Sequence, residues 1–66
     1  MKFAERLKEL REEKGLSQMK LAQTLGISQS AIAKWELERA EPSASALLLC
    51  AKFFDVSADY LLGLED

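Results

Sequence analysis

Gln29, Ser30 and Lys34 stand within six residues of one another, interleaved with Ile32 and Trp35. On a helix the two large apolar residues turn inward together, so the three polar ones turn outward as a group. Their chemistry is hydrogen bonding to patterned edges. A carboxamide can pair bidentately with adenine N6 and N7, an ammonium can donate to guanine O6 and N7, and a hydroxyl is permissive. Ala31 and Ala33 are small and keep the surface between them low. Gln18 directly follows Ser17, at a helix start whose free N–H groups suit an oxyanion such as a phosphate. Lys20, Arg39 and the Ser28 hydroxyl are further phosphate candidates.

Catalysis is a poor fit. The chain has no histidine and one cysteine, Cys50, so neither a zinc-ligand spacing nor an intrachain disulfide can be drawn. It offers no glycine-rich phosphate loop and no activated nucleophile. The expectation is a protein that is not an enzyme, with no cofactor and no metal. Cys50 lies on an apolar stripe with Leu47 and Phe54 and reads as core.

The elements that must hold these side chains are short helices. Phe3, Leu7 and Leu10 recur at helical spacing from about Lys2 to Lys14, and Gly15 ends that run. Ser17 caps a second helix that buries Leu21, Ala22 and Leu25 and stops at Gly26. Ser28 caps a third, with Ile32 and Trp35 inward. Pro42 and Ser43 restart the chain for a fourth, whose inner stripe is Leu47, Cys50, Ala51 and Phe54. Asp55 ends it, and Ser57 caps a last short helix bearing Tyr60 and Leu61. No alternating, strand-like segment occurs. The expected fold is all-α: five short helices in one domain over residues 1–66, with a helix-turn-helix at about 17–37. In that motif the second helix enters the major groove of DNA.

Net charge is −2, which taken whole argues against a polyanionic partner. Its distribution reverses that. Residues 2–13 balance four cations against four acids. Residues 14–35 carry Lys14, Lys20 and Lys34 with no acid, for +3, and residues 36–66 carry two cations against seven acids, for −5. The only positive third is the one that holds the outward-facing glutamines. With so few cations to displace counterions, affinity at a single site should be modest. A charged N-terminus without an apolar core and the absence of a long apolar run predict a soluble, cytoplasmic domain outside membranes.

Leu7-x-x-Leu10-Arg11, Gly15-Leu16-Ser17-Gln18, Leu21-Ala22-x-x-Leu25-Gly26-Ile27-Ser28, Ile32-x-x-Trp35-Glu36, Glu41-Pro42-Ser43 and Phe54-Asp55-Val56-Ser57 follow one another in a specific order and spacing. Together, from about Phe3 to Leu62, they resemble the phage repressor/Cro-type helix-turn-helix family, the xenobiotic-response-element class of regulators. The resemblance implies a lambda-repressor-like fold, sequence-specific binding to double-stranded operator DNA, and a transcriptional regulator acting as a repressor. It implies base contacts from Gln29, Ser30 and Lys34, and a phosphate clamp at Gln18. It also implies an ion pair between Arg11 and Glu36 that ties the first helix to the end of the third. Two departures place negative charge near the expected phosphate path. Glu38 stands where relatives usually have glycine, so either the third helix runs on or Glu38 takes a strained conformation; Glu41 stands where the loop is often basic.

Leu49 and Phe53 lie off the inner stripe one turn apart. With Leu62 or Leu64 they form a candidate apolar patch, and the resemblance implies a homodimer there on a pseudo-palindromic site. The competing reading keeps the fold but not the DNA: a protein-interaction module or antitoxin-like partner, favoured by the acidic last third. The acid-free stretch from Lys14 to Trp35 argues for DNA.

Overall fold

Four serines start four of the five helices, and each does so with the same bond. In a computed structural model describing residues Met1–Asp66, Ser17 Oγ accepts from the Lys20 N–H at 3.0 Å and Ser28 Oγ from Ala31 at 3.2 Å. Ser43 Oγ accepts from Ala46 at 3.1 Å and Ser57 Oγ from Tyr60 at 2.9 Å. Each hydroxyl satisfies one of the N–H groups that a helix start leaves without a partner. The helices are α1 (Phe3–Glu13), α2 (Gln18–Leu25), α3 (Gln29–Glu36), α4 (Ala44–Phe54) and α5 (Ala58–Leu62). Only α1 starts without a side-chain cap, at Lys2.

The ends are as uniform as the starts. Each helix closes with an N–H reaching back five residues: Leu16 to Arg11, Ile27 to Ala22, Arg39 to Lys34, Val56 to Ala51 and Leu64 to Asp59. That closure needs one residue at positive φ. Gly26 supplies it for the tight turn between α2 and α3, at φ 70°. After α3 the residue is Glu38, at φ 60°, and after α4 it is Asp55, at φ 55°. The question left by the missing glycine is thereby answered: α3 does not run on, and Glu38 carries the left-handed conformation.

The core joins all five helices. Phe3 and Leu7 come from α1, Leu21 and Ala22 from α2, Ile32 and Trp35 from α3, and Leu61 from α5. Trp35 meets Phe3 edge to face at 5.7 Å, which holds the end of α3 against the start of α1. α4 contributes Ala46, Cys50, Ala51 and Phe54. The inner stripe expected from the sequence needs correction here. Cys50, Ala51 and Phe54 are buried as expected, Ala46 joins them, and Leu47 is only half-buried, packed against the edge of the core. Leu25, expected to be buried, is also half-buried at the edge of the core. Burial pushes the Cys50 thiol up to about 11, which leaves it a neutral, unreactive packing group.

Candidate nucleic-acid interface

α2 and α3 form the helix-turn-helix, from the Ser17 cap to Leu37. Neither helix has an acidic residue in its own first turn to offset its positive dipole end. The Gln18 and Met19 backbone N–H groups have no acceptor, because the Ser17 cap takes the Lys20 N–H instead. They are open donors at the start of α2.

On α3, Ile32 and Trp35 are buried, while Gln29, Ser30 and Lys34 are all exposed. The inward pair locks the rotation of the helix, so the outward three are held by the core rather than by their own contacts. Ala31 and Ala33 are half-buried at the flanks. Ser28 Oγ is committed as the cap and lies 3.3 Å from Ser30 Oγ. Lys20 and Arg39 are exposed, and like Lys34 they enter no ion pair. Glu38 and Glu41 are exposed acids on the loop after α3.

Behind these helices sits the one ion pair of the structure. Arg11 Nε donates to Glu36 Oε2 at 2.8 Å and Nη2 donates to Glu36 Oε1 at 3.0 Å, a bidentate fork. The side chains are 10% and 5% exposed, so the pair is buried. The third arm, Nη1, donates to the Leu16 carbonyl at 2.7 Å and fixes the loop ahead of Ser17. Burial pushes the Glu36 carboxyl up, but hydrogen bonds from Arg11 and Gln18 and the charges of Arg11 and Lys8 outweigh it. The net result is a carboxyl held below its ordinary value. The hydrogen bond to Glu36 raises Arg11 in turn.

Gln18 is half-buried, and its Nε2 donates to Glu36 Oε1 at 3.1 Å. Sequence reasoning missed this bond. Gln18 and Glu36 are eighteen residues apart, and nothing local in either segment signals the contact. Leu48, 55% exposed on α4, was missed as well: in a run of three leucines, spacing alone does not say which faces water. Of the candidates for self-association, Leu49 and Leu64 are exposed, whereas Phe53 and Leu62 are half-buried. Phe53 packs edge to face on Phe54 at 4.9 Å, with the Lys14 ammonium 5.6 Å from its ring centre. It is a partial core residue more than a surface one.

Five short helices around a buried tryptophan, four of them serine-capped, with α2 and α3 joined as a helix-turn-helix whose first turns carry no acid, define the class. Residues 7–61 match the sequence pattern of the helix-turn-helix family, and the chain belongs to that family. It is a family of transcriptional regulators, not of enzymes. Among its relatives, the chain is 42% identical over all of its 66 residues to the HTH-type transcriptional activator BcrR of Enterococcus faecalis, spanning 32% of that protein. It spans between 52% and 57% of three Bacillus subtilis regulators it also matches. Its fold is similar to the P22 c2 repressor of Salmonella phage P22 in complex with a synthetic operator, at TM-score 0.85 and 33% identity, covering 92% of each chain. It is also similar to the restriction-modification controller protein C.AhdI of Aeromonas hydrophila, at TM-score 0.81 and 37% identity, covering 91% of each. No helix is long and apolar enough to cross a membrane.

Proposed function

We propose that this chain binds double-stranded operator DNA as the DNA-binding domain of a transcriptional regulator, with α3 in the major groove. One observation carries the reading: Gln29, Ser30 and Lys34 face outward from a helix whose opposite face, Ile32 and Trp35, is buried. Gln29 reads adenine, Lys34 reads guanine, and each good contact is worth ~1–3 kcal/mol of discrimination. Gln18, Ser28, Lys20 and Arg39 hold the phosphates and set the register. The likeness to an operator-bound phage repressor supports both the docking and the assignment as a repressor. The bacterial and phage regulators it resembles support a cytoplasmic setting.

The binding unit is a homodimer on a pseudo-palindromic operator. The domain measures 28 × 23 × 19 Å and presents one recognition helix. Reading two half-sites about 34 Å apart takes a second copy. Leu48, Leu49 and Leu64 are the exposed apolar residues nearest the chain's C-terminal part, and they support association there.

Selection of bound fragments from a random duplex library tests the proposal, at two salt concentrations and with a Gln29→Ala/Lys34→Ala variant alongside. The expected result is a two-fold-symmetric motif, weakened by salt and lost in the variant. A folded protein that enriches nothing at low salt overturns it.

A further inference from the structure

Glu36 joins three helices through one carboxylate. Oε2 takes the Arg11 Nε–H, and Oε1 takes both the Arg11 Nη2–H at 3.0 Å and the Gln18 Nε2–H at 3.1 Å. The guanidinium already accounts for the ion pair as a clamp between α1 and α3. The bond to Gln18 is extra, and it falls on the side chain at the start of α2 that faces the proposed phosphate.

A glutamine amide has two chemically different ends, a donating NH2 and an accepting oxygen. Left free in water, it presents either to a phosphate, and the oxygen end repels it. Beside Glu36 that freedom ends. A carboxylate accepts only, so the NH2 must turn toward it and the amide oxygen must turn away. One N–H is spent on Oε1, and the second remains on the same nitrogen, on a half-buried side chain next to the open Gln18 and Met19 backbone N–H groups. All three donors belong to the first turn of α2. Without a counter-ion, a carboxylate bonded to the phosphate-binding side chain would oppose binding of an anion. The bidentate fork from Arg11 cancels its charge while leaving Oε1 able to accept from Gln18.

We propose that the Arg11–Glu36 pair is a positioning device for DNA binding: Glu36 holds one N–H of the Gln18 amide, which stops the amide from flipping and leaves its second N–H for the phosphate. This rests on the DNA-binding reading above. Arg11 and Glu36 are positioning residues, since their side chains are only 10% and 5% exposed and act through Gln18.

The experiment replaces the pair as a unit, Arg11→Met with Glu36→Leu, because apolar replacement of a buried pair is often neutral for stability. Gln18→Ala is then measured in the parent and in that background, for affinity to a mixed-sequence DNA duplex at low ionic strength. A hydrogen bond to a charged group predicts that Gln18→Ala weakens parent binding ~10-fold and the double variant's binding hardly at all. An equal loss in both backgrounds overturns the proposal. A second reading needs neither DNA nor a folded variant: the two Gln18 side-chain amide protons in the NMR spectrum of the parent. Shifts displaced from those of a solvated glutamine, with slowed exchange, are expected; solvent-like shifts overturn the positioning role. If the parent binds no duplex at any salt while its Gln18 amide is displaced, the DNA-binding reading fails and the positioning of Gln18 does not.

Discussion

At the scale of single residues, the buried Arg11–Glu36 pair carries the largest electrostatic stake. Its Coulombic attraction is set against the desolvation of two ions, and the balance holds only because every polar atom of the pair is hydrogen-bonded. Removing one partner is therefore far worse than removing both. Arg11→Met should cost roughly 3–5 kcal/mol at neutral pH, because it strands the Glu36 carboxylate. A chain of this size has only about 3–10 kcal/mol in all, so the variant should stand near its unfolding threshold. The pH dependence should differ in sign between the two proteins. In the parent, Glu36 is held below its ordinary value of 4.5, so its contribution is complete above that pH and is lost as pH falls through the depressed value. In Arg11→Met, burial pushes the same carboxyl up, so the folded state gains relative stability as pH falls. Urea unfolding at neutral and acid pH should show the gap closing on acidification. A gap that stays constant would mean the pair contributes nothing electrostatically.

At the scale of elements, each helix is bounded by residues that could be read directly from the chain, with one informative exception. Serine caps and glycine stops act within a few residues of themselves, so their spacing places α2 and α3 without reference to the rest of the molecule. The end of α3 is the exception. Glu38 replaces the usual glycine, and the sequence left two outcomes open; packing chose between them. Trp35 must stay buried against Phe3 and Glu36 must reach Arg11, so the chain turns after Leu37 and Glu38 accepts φ 60°. A non-glycine residue there costs roughly 1–2 kcal/mol, part of which glycine would return as unfolded-state entropy. Glu38→Gly should thus stabilise by about 1 kcal/mol and raise the melting temperature by ~4–8 °C. It also removes a carboxylate from the proposed phosphate path, so duplex affinity at low salt should rise with it. Asp55→Gly should yield a smaller gain, because aspartate tolerates this conformation better. Calorimetry of both variants checks the order, and a destabilised Glu38→Gly would show that the carboxylate makes a compensating contact.

At the scale of the whole molecule, the outstanding question is what covers the exposed leucines. Leu49 is 44% exposed on α4, whereas Phe53 is tied into the core through Phe54. Leu49 is accordingly the cleaner probe of association. Leu49→Glu should leave thermal stability within about 0.5 kcal/mol, as exposed substitutions do. In sedimentation equilibrium it should shift a dimer to monomer. An unchanged mass distribution would remove this part of α4 from the interface. Charge acts at the same scale: the +3 segment and the −5 segment belong to one small body, and only the folded arrangement decides which face a polyanion meets.

Much of this protein was written locally. Helix starts at Ser17, Ser28, Ser43 and Ser57, stops at Gly15, Gly26 and Asp55, and the outward facing of Gln29, Ser30 and Lys34 all follow from forces that act over one or two turns. Even the family pattern is a string of such local signals in order. Three things depended on the fold as a whole. Ala46 joined the core while Leu47 stayed at its edge, Phe53 turned partly inward, and Gln18 found Glu36 eighteen residues away. Each depends on how one helix is rotated against its neighbours. A helix of period 3.6 leaves that rotation open among adjacent stripes, and only simultaneous packing of all five helices against a shared core selects one.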